Sequence, residues 1–540
     1  MPVGFQVLPS MTDGVPNAPW ALEFSRFVGP GGSGGAHNTV PMGGAAKGFN
    51  ITVVHTDTGY TKHPELLQNG TLRTADARTF TDPAPSFEGV IPMMTGLADP
   101  ISDDGIDPLG PITVPPFFPC HGTSTGSLIM SPDGFPNASF PGYLAAAMPH
   151  SVAAQEGRPP QPITGAAPEA MLLPIRVSDS VIVDPIVANN LTTAIWHAVS
   201  LAQVNPTDGM AIDPTIGVIS ISMGWPLAGD PLDFRPLAAA IRGACDAGII
   251  ICAAAAQAVP YLNKTMERYA DFMDGINDAA GGVADTANDF SDLATKTAII
   301  ARLTGLALTN QPTLADLAEE VRQKALAVGR TADDIARYMA LLEDLTESHA
   351  ETARWIGGPG YPGTDPNTIC CAACDINGFE MVDGFYGHQV DITAPGVNMY
   401  SAKSKVGATG NEYYTHYSAG TSYSTAITAG ACALWQAHHG RDHLLETYGA
   451  PMMVHLFRWA LKQSSEQTTP QLAAEGIAWD GERRGYGILN AEALLALPLP
   501  ADVETLMTHL RGENMITTIQ EYELWAKLER WDMLQTLLSN

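Results

Sequence analysis

Short, nearly unbroken runs of Val, Ile and Ala recur along the chain, separated by stretches whose apolar residues return every three or four positions. The runs are Asn50-Ile-Thr-Val-Val-His55, Ala170-Met-Leu-Leu-Pro-Ile-Arg-Val177, Ile216-Gly-Val-Ile-Ser-Ile-Ser222 and Gly248-Ile-Ile-Ile-Cys-Ala-Ala254. Strands apolar on both faces must be covered on both faces, so the pattern predicts an α/β fold whose sheet is parallel and sandwiched by helices. The helical pattern from Pro231 to Ala247 ends at Gly248, a helix-to-strand break. From Val259 to about Trp355 the pattern turns charged, amphipathic and helical, with Thr313-x-x-Asp316 and Thr331-x-x-Asp334 resembling capping boxes. Strand character returns at Thr368-Ile-Cys-Cys-Ala-Ala-Cys374 and Val390-Asp-Ile-Thr-Ala-Pro-Gly396. The helical stretch, taken as 258–356, is therefore an insertion that interrupts one domain. The expected organisation is an N-terminal extension over 1–45, the sheet domain over 46–497 with its insertion, and a helical tail over 498–540. The tail's second amphipathic pattern carries Leu524, Trp525, Leu528, Trp531 and Leu534, a stripe expected to pack on the body or on a sister subunit.

Composition narrows the function. The 540 residues include 28 Lys+Arg against 57 Asp+Glu, a net charge of −29, which repels phosphate backbones and anionic lipid surfaces, so nucleic-acid and membrane partners are not expected. The longest apolar stretch, Ala247 to Pro260, is shorter than the ~20 residues that span a bilayer. The first thirty residues carry no basic segment ahead of an apolar one, so a cytoplasmic location is expected, with a secreted mature form left open. Most of the seven cysteines sit in apolar runs and read as buried thiols; Cys371-x-x-Cys374 has no second pair at metal-ligand spacing and reads as strand. Cys120, directly before His121, reads the same way. Asp99, Asp103, Asp104 and Asp107 form an acidic loop without a fixed ligand spacing. No metal or cofactor is assigned, and calcium is left open.

Three segments carry candidate chemistry, and each alone has an ordinary reading. Asp57 ends the run Val53-Val-His-Thr-Asp57 and precedes Thr58-Gly59, where an acid often caps a helix; His121-Gly-Thr123 opens a helix of small residues; Ser422, in Gly420-Thr-Ser422, starts the helix from Ala426 to Trp435 and suits an N-cap. Together, an Asp, a His and a Ser in that chain order, each at a strand or helix end beside a parallel sheet, make an acyl-transfer triad.

These residues also carry a resemblance. Asp57-Thr-Gly59 with His63-Pro-Glu-Leu66 after it, His121-Gly-Thr123, and Gly420-Thr-Ser422 resemble the signature blocks of the subtilisin-like serine proteases, the subtilases. Leu173-Pro-Ile-Arg-Val177, Ile221-Ser-Met-Gly224, Asp391-Ile-Thr-Ala-Pro-Gly396 and Gly485-Tyr-Gly-Ile-Leu-Asn-Ala491 extend it from about Gly48 to Ala493. The resemblance implies a subtilisin-like, predominantly parallel sheet and a serine endopeptidase acting on polypeptide. Ser422 is then the nucleophile, His121 the base and acid, Asp57 the residue that orients the imidazole, and the Ser422 N–H one oxyanion donor. Ser222, Met223 and Gly224 resemble the edge that pairs with extended substrate. Subtilases usually carry Gly-Asn where this chain has Ala256-Gln257. Gln257 keeps the carboxamide donor at one methylene more reach, while Ala256 loses the backbone freedom of glycine. The insertion follows Gln257 directly and is expected to border the cleft and restrict large substrates. Two other readings are a subtilase fold kept for peptide binding or regulation, with catalysis weakened by Ala256-Gln257, and a Rossmann-type enzyme. Intact Asp57, His121 and Ser422 argue against the first; Asp57-Thr-Gly-Tyr-Thr-Lys62 lacks G-x-G-x-x-G and argues against the second. Oligomeric state is not determined by these patterns.

Overall fold

The computed structural model describes residues 11–12, 15–16, 20–29, 34–39, 47–61, 63–67, 71–80, 120–132, 163–178, 181, 183, 185–203, 211–224, 234–257, 359–381, 384–407 and 410–528. The insertion expected to be helical over 258–356, the acidic stretch with Asp99, Asp103, Asp104 and Asp107, and Trp531 and Leu534 of the tail lie outside these residues.

The apolar runs form one seven-stranded sheet. In chain order its strands are β1 (Thr52–Asp57), β2 (Arg78–Thr79), β3 (Met171–Arg176), β4 (Ile216–Ile221), β5 (Ile250–Ala254), β6 (Thr368–Cys374) and β7 (Ile392–Pro395). They lie side by side as β2-β3-β1-β4-β5-β6-β7, and every neighbouring pair is parallel. The predominantly parallel α/β architecture is as expected. Residues alternate between faces along each strand. Val53, Leu172, Val218, Ile250 and Cys252 enter one core, under the helices α2 (His121–Met130) and α5 (Thr421–His439). Val54, Leu173, Ile219, Ile251 and Ala253 enter the other, under α3 (Pro185–Ala202) and α4 (Arg235–Asp246). Both faces are thus sealed, which is why the runs needed no polar alternation.

After β1 the chain builds β3 on one side and β4 on the other, so the order reverses at β1. In parallel sheets the crevice at the carboxyl ends of strands beside such a reversal is where ligands bind, and Asp57 is the last residue of β1.

The flanking segments belong to the same body. Trp20, Phe24 and Phe27 of the N-terminal extension are buried in the first core, and Trp20 Nε1 donates to the Asn398 carbonyl across 2.9 Å. In the tail, Leu506 and Leu510 of Val503–Gly512 and Leu524 and Trp525 of Thr518–Lys527 enter that core too, so the described part of the apolar stripe packs on the body. All seven cysteines are buried, and Cys371 and Cys374 lie in β6.

One buried group has no opposite charge beside it among the described residues. Glu65, in the short helix α1 (Pro64–Leu67), is fully buried; Ser131 Oγ donates to its Oε2, and Oε1 has no partner among the described residues. Burial pushes its carboxyl up to about 8 despite hydrogen bonds from Ser131 and the Ile163 N–H. The unfolded chain ionises this group near its ordinary value while the folded chain does not, so stability falls as pH rises from about 4.5 to about 8. Glu65→Gln removes that slope. Urea denaturation should show little change at pH 4 and a gain of ~4 kcal/mol at pH 8, at roughly 1.4 kcal/mol per pH unit between the two values. Equal stabilities at both pH values would mean that the carboxyl is ionised in the folded state.

Candidate active site

β1 ends at Asp57 and turns through Thr58 and Gly59, and the start of α2 is pressed against that turn. A Cβ on Gly122 would lie 2.1 Å from the Gly59 carbonyl oxygen, so only glycine fits after His121. The Thr58 hydroxyl accepts from the Gly122 N–H at 3.1 Å, and the Thr123 hydroxyl accepts from the Thr61 N–H at 2.8 Å. These contacts bring His121 Nδ1 to 2.7 Å from Asp57 Oδ1.

Asp57 is fully buried. Its Oδ1 also accepts from the Thr58 N–H at 2.7 Å, and Thr125 Oγ1 lies 3.2 Å from Oδ2. Burial alone would raise its pKa, but the charge and hydrogen bond of His121, the His55 ring and the Thr58 N–H outweigh it, and Asp57 stays below the ordinary carboxylate range. The carboxylate is therefore charged and its Oδ1 is aimed at an imidazole.

Ser422 sits in the first turn of α5, where unpaired backbone N–H groups and the helix dipole favour negative charge. The Gly420 N–H donates to the Gly396 carbonyl at 2.8 Å, which ties the turn before the helix to the end of Asp391-Ile-Thr-Ala-Pro-Gly396. Ser422 and Ser222 are reciprocally bonded: Ser422 Oγ donates to the Ser222 carbonyl at 2.8 Å, and Ser222 Oγ donates to the Ser422 carbonyl at 3.1 Å. The ring of Tyr423 stands 6.4 Å from that of His121.

Gln257 reaches the same turn. Its Oε1 accepts from the Thr421 N–H at 3.2 Å, which leaves the Nε2 hydrogens as its donors beside the residue that precedes Ser422. Ala256, expected to be hampered by its Cβ, takes the left-handed conformation a glycine would take, with φ 69°. Its carbonyl accepts from the Phe385 N–H at 3.1 Å.

Asp57, His121, Ser422, Gln257 and Ser222 thus converge at the carboxyl edge of the sheet. The fold that carries them is α/β, a parallel seven-stranded sheet with helices on both faces. Met223 turns its side chain into the core under α3 and α4 and offers only backbone. Both backbone groups of Gly224 are engaged: its N–H donates to Val181 O at 3.2 Å and its carbonyl accepts from Val183 N–H at 3.1 Å. His55 and Thr125, both beside Asp57, were not singled out from the sequence. The available signal was position, since His55 is two residues before Asp57 and shares its face. Among the described residues, no group of three or more His, Cys, Asp or Glu is arranged to hold a metal ion.

No protein-family model matches the chain, and no curated protein matches it. Similar solved structures include MycP1 with its N-terminal propeptide removed, at 16% identity over 90% of this chain and 99% of that one, with a TM-score of 0.43. They include the prenylagaramide maturation protease PagA, at 15% identity over 85% and 94% with a TM-score of 0.40. A protease from Pseudoalteromonas arctica PAMC 21717 is 14% identical over 90% and 99%, with a TM-score of 0.44.

The φ of Ala256 generates a test. A non-glycine residue in the left-handed region carries about 1–2 kcal/mol of strain, which Ala256→Gly relieves, while the freer unfolded chain takes back ~0.4–1 kcal/mol. The variant should be more stable by roughly 0.5–1 kcal/mol, read as a higher urea midpoint at unchanged m-value. A lower midpoint would mean that the Ala256 methyl packs for more than its backbone costs.

Proposed function

We propose that the chain is a serine endopeptidase that hydrolyses polypeptide through an acyl-enzyme intermediate. The observation that carries this reading is the buried 2.7 Å contact between a charged Asp57 and His121 at the strand-end crevice where α5 presents Ser422. Ser422 Oγ attacks the scissile carbonyl carbon while its proton passes to His121 Nε2; the imidazolium then gives that proton to the leaving amine, and water repeats the cycle on the ester. Asp57 steadies the ring through Nδ1 and balances the imidazolium charge. For the first step the Ser422 hydroxyl must leave the Ser222 carbonyl, its acceptor here, and turn to the imidazole. The oxyanion is stabilised by the Ser422 N–H and by Gln257 Nε2, whose carboxamide is oriented because Oε1 is held by the Thr421 N–H. The substrate enters as an extended segment beside Ser222 to Gly224 and displaces the contacts of Gly224 with Val181 and Val183. Among the described residues no helix is long and apolar enough to cross a membrane.

A second reading, a peptide-binding or regulatory protein with weak catalysis, is favoured by the Ser422 hydroxyl resting on Ser222 and by the Ala256-Gln257 replacement. A fluorophosphonate probe separates the two, because it acylates an activated serine irrespective of substrate. Wild type should label, Ser422→Ala should not, and His121→Ala and Asp57→Asn should each slow labelling by about 10³–10⁴-fold without unfolding the chain. Absence of labelling in the wild type, or labelling that persists in Ser422→Ala, would sink the endopeptidase reading.

Gln257→Ala should cost ~2.7–4 kcal/mol of transition-state stabilisation, with kcat lowered and KM little changed on a peptide substrate. An unaltered kcat would mean that the carboxamide only braces Thr421.

A further inference from the structure

A second imidazole stands behind the triad. His55 lies on β1 two residues before Asp57, on the face covered by α2 and α5, and is buried. Its Nε2 is 3.1 Å from the Gly122 carbonyl, 3.0 Å from Thr125 Oγ1 and 3.7 Å from Asp57 Oδ2. Nδ1 has no partner among the described residues. α2 makes room for the ring at Gly126, where an added Cβ would stand 3.6 Å from His55 Cδ2 and 3.1 Å from a Leu172 methyl.

The tautomer follows from these contacts. Nε2 faces a carbonyl, which can only accept, so a proton on Nε2 makes a bond where a lone pair would be repelled. The same choice leaves Nδ1 as a bare acceptor, which is less costly to bury than an unpaired N–H. Thr125 is the other half. A helical threonine ordinarily returns its proton to the carbonyl four residues back, and Thr125 has that acceptor at His121 O, 2.9 Å away. It also has Asp57 Oδ2 at 3.2 Å, a charged and therefore stronger acceptor. An N–H arriving from His55 fills one lone pair of the hydroxyl and turns its proton toward the carboxylate.

We propose that neutral His55 is a positioning residue of the triad, acting through Thr125: His55 Nε2–H holds Thr125 Oγ1 and the Gly122 carbonyl, Thr125 donates to Asp57 Oδ2, and the carboxylate is locked with Oδ1 toward His121. This rests on the acyl-transfer reading above. Among the described residues the titratable groups acting on His55 are Asp57 on its own strand and His121 on α2; its register neighbours, Pro174 on β3 and Ser220 on β4, do not titrate. Burial holds its pKa below the ordinary histidine value against the pull of Asp57, consistent with a ring that stays neutral while the triad works.

The test is the second-order rate of fluorophosphonate acylation at Ser422 against pH, for wild type, His55→Leu, His55→Gln, Thr125→Val and the Leu/Val double variant. His55→Leu and Thr125→Val should each lower the plateau by roughly tenfold, the worth of one hydrogen bond to a charged group. Each should move the acid limb to higher pH, because a carboxylate stripped of its Oδ2 bond holds the imidazolium more tightly. The double variant should be no slower than either single, and His55→Gln, which restores an N–H at the Nε2 position without a titrating ring, should recover most of the loss. A merely structural role would lower the melting temperature and leave the acid limb in place, and that result overturns the proposal, as do additive losses in the double variant. If His55→Leu does not fold, Thr125→Val, which keeps the side-chain shape, decides alone: a wild-type plateau and acid limb overturn the proposal. A wild type that fails to label overturns the acyl-transfer reading itself, and this proposal with it; a labelled wild type with unaffected variants overturns only the role of His55.

Discussion

The press of the α2 start against the turn after β1 is the contact on which the candidate site depends. Gly122 has no room for a side chain because the Gly59 carbonyl is already there. That approach, secured by Thr58, Thr61 and Thr123, converts two distant segments into a 2.7 Å pair. Any side chain at position 122 would push the helix off the turn, and with it the imidazole off Asp57. Glycine here serves proximity rather than conformational freedom.

Two carboxyl groups are buried at opposite ends of α2, and they have opposite fates. Asp57 faces an imidazole and a backbone N–H and keeps its charge; Glu65 faces one serine hydroxyl and one backbone N–H, and loses it. Removing a charge from water is expensive, and only a group that gains compensating partners remains ionised. The difference separates a group that can serve a proton-transfer site from one that ties α1 to the end of α2.

Ser422 is positioned from three directions. Gly396 holds the turn before α5, Gln257 braces the Thr421 N–H, and Ser222 holds the Ser422 hydroxyl itself. Those anchors come from β7, β5 and β4, strands that α5 crosses on one face of the sheet, so the turn rests on several adjacent strand ends instead of one loop. The strained φ of Ala256 belongs to the same arrangement, since it sets the course of the backbone into Gln257.

Much of this was legible in the residue pattern. Unbroken apolar runs pointed to a sheet covered on both faces, the usual setting of parallel strands, because strands with two apolar sides need cover on each. Asp57, His121 and Ser422 were readable because each stands where a periodic pattern stops, and chemistry at strand and helix ends is local in sequence. Three features were not readable, because each depends on what lies opposite. Nothing in Ala256-Gln257 says that an alanine will adopt a glycine-like φ, a choice made by the Phe385 and Gly384 segment that pairs with it. Gly224 reads as an open edge until Val181 and Val183 fold onto it. His55 is one more polar residue in a strand until α2 brings Gly122 and Thr125 against its ring. The sequence by itself determined which elements form and which ends carry reactive groups, since these follow from periodicity and chain order; the tertiary structure alone decided which groups share a proton, because hydrogen bonds are settled at about 3 Å between residues tens to hundreds of positions apart.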